Sequence, residues 1–247
     1  KAEALPDLKS MLAELDKIEI PNYKFVLTGS GKVAHGAKEI LDHLNMRKVS
    51  AAEYLKNEFD EPVFCCIDVL DYARRKDGAK GSRKEFYKVP ENYESDFMKF
   101  AKNSDVFIAG HFYGEGSPVF YSEKDIKNKD FRIKYVADIS CDIAGPIAST
   151  IRPSTIAEPF YGYDPISGRE TDFMEKDAIC IMAVDNLPCE LPKDASEGFG
   201  EMFLEHVIPA FFNDDKDGNS TRQQGFRNRS EKGFASRHYR RLYPNHL

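Results

Sequence analysis

Residues 23–37 read YKFVLTGSGKVAHGA, and the fold turns on this stretch. Its first part, residues 23–28, is a short apolar run of the length and composition that predict a buried strand. From Val33 onward, Val33, Ala37, Ile40, Leu41 and Leu44 recur at helical spacing, so a helix follows. Gly29, Ser30 and Gly31 therefore occupy a strand-to-helix turn. The first glycine permits a tight turn, and the second removes a side chain where a pyrophosphate would approach the backbone. Ala34 and Gly36 are small enough for the helix to lie close against the strand. Free N–H groups and the positive end of the helix dipole would face the phosphates. The pattern GxGxxA in this setting predicts a dinucleotide site, with a bare structural turn and a methyl-donor-binding fold as the alternatives.

On either side of this turn the chain alternates between strand-like and helical runs. Leu8, Met11, Leu12 and Leu15 give an entering helix one apolar stripe, and Pro21 follows it. Val49 closes a brief second strand, Ser50 is placed to cap a helix beginning at Ala51, and residues 62–68 (PVFCCID) read as a buried third strand. Residues 71–90 carry Arg74, Arg75, Lys76, Arg83 and Lys84 and read as a polar excursion, followed by a helix over 93–102. Strands are predicted at 105–109, 134–139 and 178–184, with a short helical segment at 122–127 and an extended segment, rich in Pro, Gly and Thr, at 145–176. An amphipathic helix is predicted over 197–212. This alternation implies an α/β fold, a doubly wound parallel sheet with helices on both faces.

Composition and charge narrow the function. The 247 residues are 41% hydrophobic and 31% charged, an ordinary globular make-up with no apolar run long enough for a membrane span. The five cysteines are odd in number and none is spaced as CxxC, so neither a disulfide framework nor a structural zinc site is favoured, and a reducing, cytoplasmic setting is expected. No metal is predicted: Asp138, Asp142 and Asp185 fall at the ends of different strands, where capping loop backbone is the commoner role. Cys141 and Cys189 read as packing residues. Residues 213–247 hold eight Lys or Arg against four Asp or Glu, while the rest carries 27 against 37. The tail reads as a basic, unpatterned terminus, either disordered or aberrant; the acidic body argues against a nucleic-acid partner.

A site for NAD would show an acid at the end of the second strand, to bind the ribose hydroxyls. That strand reads Arg47-Lys48-Val49-Ser50, with no acid. Ser50 with positive charge nearby suits a 2′-phosphate better, so NAD or NADP stays open with a tilt towards NADP. His35, beside the glycine turn, reads as a solvated helix residue.

Four stretches, FVLTGSGKVAHGA (25–37), VADISCDIAGPI (136–147), STIAEPFYGYDP (154–165) and MAVDNLPCELPKDASEGFGE (182–201), resemble the lysine-ketoglutarate reductase and lysine-forming saccharopine dehydrogenase family of the alanine dehydrogenase and transhydrogenase superfamily. The likeness runs in the same order from about residue 20 to 212. It implies a Rossmann-like nucleotide-binding half (21–212) after an entering interdomain helix (1–20). The implied reaction joins lysine and 2-oxoglutarate through an imine reduced by a nicotinamide hydride, or releases them from saccharopine. The family's lysine and histidine acid–base pair lies in an amino-terminal domain that is not in this sequence, so no catalytic acid or base is assigned. Since the chain begins at Lys1 and runs straight into a helix, an upstream portion is expected.

By the same resemblance, Gly31 and Lys32 fall at the phosphate turn, with Gly29, Ser30 and Val33 around them. Ile139 falls near the nicotinamide, and Asp185, Asn186, Leu187 and Pro188 match the loop lining its pocket. The family's loop after the fourth strand carries an asparagine and an aromatic; here it reads Ala109-Gly110-His111-Phe112-Tyr113, so the asparagine is missing while Phe112 can still flank the cofactor. The alternative function is a non-catalytic dinucleotide-sensing module on the same fold.

Overall fold

Burial of the central strands on both faces sets the architecture, as the computed structural model of residues 1–212 makes explicit. The tail expected at 213–247 lies outside the described residues. The chain opens with α1 (Leu8–Leu15), β1 (Lys24–Thr28), α2 (Lys32–His43), β2 (Arg47–Lys48), α3 (Ala51–Lys56) and β3 (Val63–Ile67). It continues with α4 (Val69–Tyr72), β4 (Ala73–Arg75), α5 (Arg83–Phe86), β5 (Tyr93–Ser95), α6 (Met98–Ala101), β6 (Val106–Ala109), α7 (Glu123–Ile126) and β7 (Tyr135–Asp138). The last elements are β8 (Phe160–Asp164), β9 (Arg169–Thr171), β10 (Ile179–Met182), α8 (Pro192–His206) and α9 (Ile208–Phe211). The chain groups into two compact units, Lys1–Pro192 and a second from Lys193 onward.

One sheet runs in the order β2-β3-β1-β6-β7-β10-β8-β9, while β4 and β5 form a separate antiparallel pair. From β2 to β10 the neighbours are parallel, in registers such as Leu27 opposite Cys66 and Ile108. Val26, Cys65, Ile67, Phe107, Val136 and Ile181 face one side, against Tyr54 of α3, Phe97 and Phe100. Leu27 and Phe64 face the other, against Ala34 and Leu41 of α2. Apolar side chains on both faces of central strands require a helical cover on each side, which makes this a doubly wound, Rossmann-like α/β sheet.

Several elements differ from the sequence reading. β8 runs antiparallel to β10 and forms an antiparallel hairpin with β9, so the sheet is not parallel throughout. Residues 93–102 are not one helix: Tyr93–Ser95 pairs with β4 because the Tyr93 ring is buried edge-on to Phe86 at 5.1 Å and its hydroxyl donates to Glu85 at 3.1 Å. Nor is the 71–90 excursion wholly polar, since Tyr72, Ala73 and Phe86 join the core while Arg74 and Arg75 pair with Glu94, Asp77 and Glu85 outside it. The last long helix starts at Pro192 rather than residue 197, proline being favoured where the first helical N–H has no partner anyway. It ends at His206, and Pro209 sits in the first turn of α9.

At the amino edge of the sheet, Lys24 is 3% exposed and its ammonium donates to the carbonyls of Tyr54 (2.9 Å) and Asn57 (3.0 Å), closing the end of α3. Burial pulls its pKa down against the opposing pull of Glu58 and Asp105. Lys24→Met should cost about 2 kcal/mol, because two carbonyls lose their donor. An unchanged urea midpoint would show that water replaces the ammonium there.

Candidate functional site

Parallel strands deliver their carboxyl ends to one edge of a sheet, and the turns after β1, β3, β6, β7 and β10 gather there. At the centre is the glycine turn. Gly29 has φ +103°, and a Cβ on it would lie 2.5 Å from the Gly110 carbonyl oxygen, so only glycine fits. Gly31 is the N-cap of the 12-residue α2, and a Cβ there would meet nothing within 4 Å. Among the described residues no side chain caps the amides of the first turn of α2. Ser30, Gly31, Lys32 and Val33 are all exposed around this opening. Glycine at 31 therefore keeps space clear in front of a bare helix N-terminus, which suits a pyrophosphate.

Close packing of helix on strand comes from Ala34, 4% exposed, against Gly110, where a Cβ would meet the Ala34 backbone at 3.1 Å. Gly36 does not share that role: it is exposed, with open space around it. His35 is exposed as expected, and its Nδ1 lies 2.9 Å from the Gly31 carbonyl.

On one side of β1 the neighbouring strand is β3, not β2. Ser50 consequently sits at the end of a strand about 10 Å from β1, and its hydroxyl caps α3 by accepting the Glu53 N–H at 3.2 Å. Arg47 is committed to Glu53 and Glu61. An acid that the sequence reading did not single out, Asp68, stands at the end of β3, the strand that does lie beside β1. Strand length was the available signal: a two-residue Arg47–Lys48 strand, both residues exposed, cannot be central.

On the other side of β1, His111 follows β6. Its Nδ1 lies 2.8 Å from the Thr28 hydroxyl, its ring packs 4.2 Å from Phe120, and its buried Nε2 has no partner among the described residues. Burial lowers its pKa to about 3, so the imidazole is neutral at physiological pH. Phe112, next in the chain, is 74% exposed. Ile139, half-buried after β7, donates its N–H to Ala109 at 3.1 Å.

Asp138 closes β7 as a buried hub that accepts from the Ser140 hydroxyl (2.6 Å), the Cys141 N–H (3.1 Å) and the Thr150 hydroxyl (2.7 Å). Thr150 is thereby structural, and the Thr155 hydroxyl accepts the Glu158 N–H at 3.1 Å. Burial, then Asp138, Asp185 and Asp142, push the Cys141 thiol up to about 11, leaving it protonated while Sγ donates to the Ala183 carbonyl. After β10, Asp185 and Asn186 are exposed and lead into a 3₁₀ turn, Leu187–Glu190, with Pro188 in its first half. Leu187 also lines an open groove of about 1210 Å³ with Ala137, Phe160, Phe173 and Met182, which does not reach the glycine turn.

No family model matches the chain. A protein of Arabidopsis thaliana named alpha-aminoadipic semialdehyde synthase is 31% identical over 203 residues, 74% of this chain and 19% of its own length. The Mus musculus and Rattus norvegicus proteins named mitochondrial alpha-aminoadipic semialdehyde synthase are each 26% identical over 216 residues, 77% of this chain and 23% of theirs. The chain belongs to the lysine-ketoglutarate reductase/saccharopine dehydrogenase family. It spans about a fifth of the length of the curated relatives it matches. The site residues inferred from the resemblance lie after β1, β6, β7 and β10, and the parallel sheet brings those turns to one edge. Among the described residues no helix is long and apolar enough to cross a membrane.

Proposed function

We propose that this chain is the nicotinamide-dinucleotide-binding portion of a saccharopine dehydrogenase-like oxidoreductase, which forms saccharopine from lysine and 2-oxoglutarate through an imine or runs the reverse. The observation that carries this reading is the opening at Gly31 in front of an uncapped twelve-residue helix, in a chain 31% identical to a semialdehyde synthase. Gly29 to Val33 would hold the pyrophosphate and Asp68 the adenosine ribose. Phe112, Ile139 and the loop of Asp185, Asn186, Leu187 and Pro188 would flank the nicotinamide. When bound, the dinucleotide supplies or accepts the hydride. The chain's own contribution is to bind and orient it. The five cysteines are unpaired, which fits a reducing compartment. Cytoplasm was the expectation, and the mitochondrial designation of the mammalian relatives makes a reducing matrix an equal fit.

Calorimetry of the chain with NAD and NADP tests the reading; saturable binding of at least one is expected, and heat from neither would refute it. A second test addresses the far end of the cofactor. Asp185→Ala or Asn186→Ala, made at the matching positions of a full-length relative, should slow hydride transfer about tenfold or more with little change in ADP-ribose affinity. Normal turnover with lost dinucleotide affinity would mean that this loop serves the adenosine end.

A further inference from the structure

Asp68 does not meet the adenosine corner as a bare carboxylate. Its Oδ1 accepts the Val69 N–H at 2.7 Å, and its own N–H donates to Asp71 at 2.8 Å, fixing the side chain at the start of α4. Oδ2 is buried, and among the described residues the donor that reaches it is the guanidinium of Arg83, which pairs with it. The two side chains differ in exposure: 16% for Asp68 and 59% for Arg83. Tyr87, one turn past Arg83, is 58% exposed and lies within electrostatic reach of both charges. A carboxylate, a guanidinium and an open aromatic ring therefore share the end of the strand beside β1.

Each group has a different preference. A ribose 2′,3′-diol needs acceptors, which a free carboxylate supplies, whereas a 2′-phosphate carries close to two negative charges and is repelled by it. A guanidinium on that carboxylate cancels its charge and keeps further N–H donors for a phosphate, since Arg has five. Because Arg83 is largely in water, it can shift between the two partners at little cost.

Building on the dinucleotide reading, we propose that Arg83 decides how the adenosine ribose is recognised: paired with Asp68 it masks the carboxylate and admits a 2′-phosphate, and without it Asp68 selects the free hydroxyls. Tyr87 offers its ring to the base. The roles are separable, because Arg83 acts on the choice between ligands and Tyr87 on both alike.

Calorimetry of the whole chain with ADP-ribose and with its 2′-phosphate reads this directly, melting temperature serving as the check on folding. The wild-type chain is expected to prefer the phosphorylated ligand. Arg83→Ala should lower the ratio of the two affinities by about tenfold or more and favour ADP-ribose. Asp68→Asn, which keeps an oxygen for the α4 cap, should raise the ratio. Tyr87→Ala should weaken both ligands equally. If Arg83→Ala and the milder Arg83→Gln weaken both ligands by the same factor, Arg83 only shapes the loop and the proposal falls. If the folded wild-type chain binds neither ligand, the dinucleotide reading falls first and this one with it.

Discussion

Replacing Gly31 with valine is expected to abolish dinucleotide binding, a loss of about 3 kcal/mol or more and so over a hundredfold in Kd, while the fold survives. Two observations separate the effects. The backbone at Gly31 has φ −91° and ψ −171°, an extended conformation that a β-branched residue adopts freely, and a Cβ there touches nothing within 4 Å. Stability should fall by only about 1 kcal/mol, the cost of a poor N-cap residue. The isopropyl group would nevertheless fill the space in front of the first-turn amides of α2. Gly29 is the contrasting control. Even alanine there meets the Gly110 carbonyl oxygen at 2.5 Å with φ at +103°, so Gly29→Ala should cost about 3 kcal/mol or more by strain and displacement of the β6 loop. Calorimetry and thermal unfolding on both variants check the pair. Unchanged affinity in Gly31→Val would mean that the cofactor binds elsewhere.

These glycines were legible because their reasons are local: a strand, a turn and a helix lie within fifteen residues, and the pattern of residue types records all three. Asp68 was not legible for the opposite reason. Its place beside the glycine turn depends on which strand lies next to β1, and β3 takes that place although β2 precedes it in the chain. Order within a parallel sheet is decided by long-range packing of Val63, Cys65 and Ile67 against the main core, not by succession in sequence. The same limit explains residues 93–102. Their spacing suits a helix, yet Tyr93 gains more by burying its ring on Phe86 and extending its backbone along β4 than a short helix would return. The hairpin of β8 and β9 lay in a segment whose prolines and glycines read as extended chain, and nothing local distinguishes an antiparallel pair from a loop there. His111 was visible as a residue of the β6 loop, but its burial was not, since Phe120 and Thr28 reach it from other elements.

Acid should destabilise this protein through that histidine. The unfolded imidazole titrates near 6.5, and burial lowers the folded value to about 3. Well above pH 6.5 neither state is charged and His111 contributes no pH dependence. As pH falls below 6.5 the unfolded chain takes up the proton and the folded chain does not, so stability drops, and it goes on dropping until the folded value is reached. The loss at pH 5 is about 2 kcal/mol relative to pH 7. His111→Leu removes the titration while keeping an apolar group against Phe120, and the Thr28 hydroxyl retains the Ile108 carbonyl at 3.4 Å. Urea unfolding at pH 7 and pH 5 should therefore show the wild-type chain losing about 2 kcal/mol more than the variant between the two conditions. Equal losses would mean that the ring gains a proton acceptor or water in the folded state. The consequence reaches the glycine turn, because the backbone of His111 lies against Gly29 and its ring holds Thr28, the residue just before that turn. Protonation that expels the ring must loosen both contacts, so dinucleotide affinity in the wild-type chain should fall over the same pH interval and should fall less in His111→Leu.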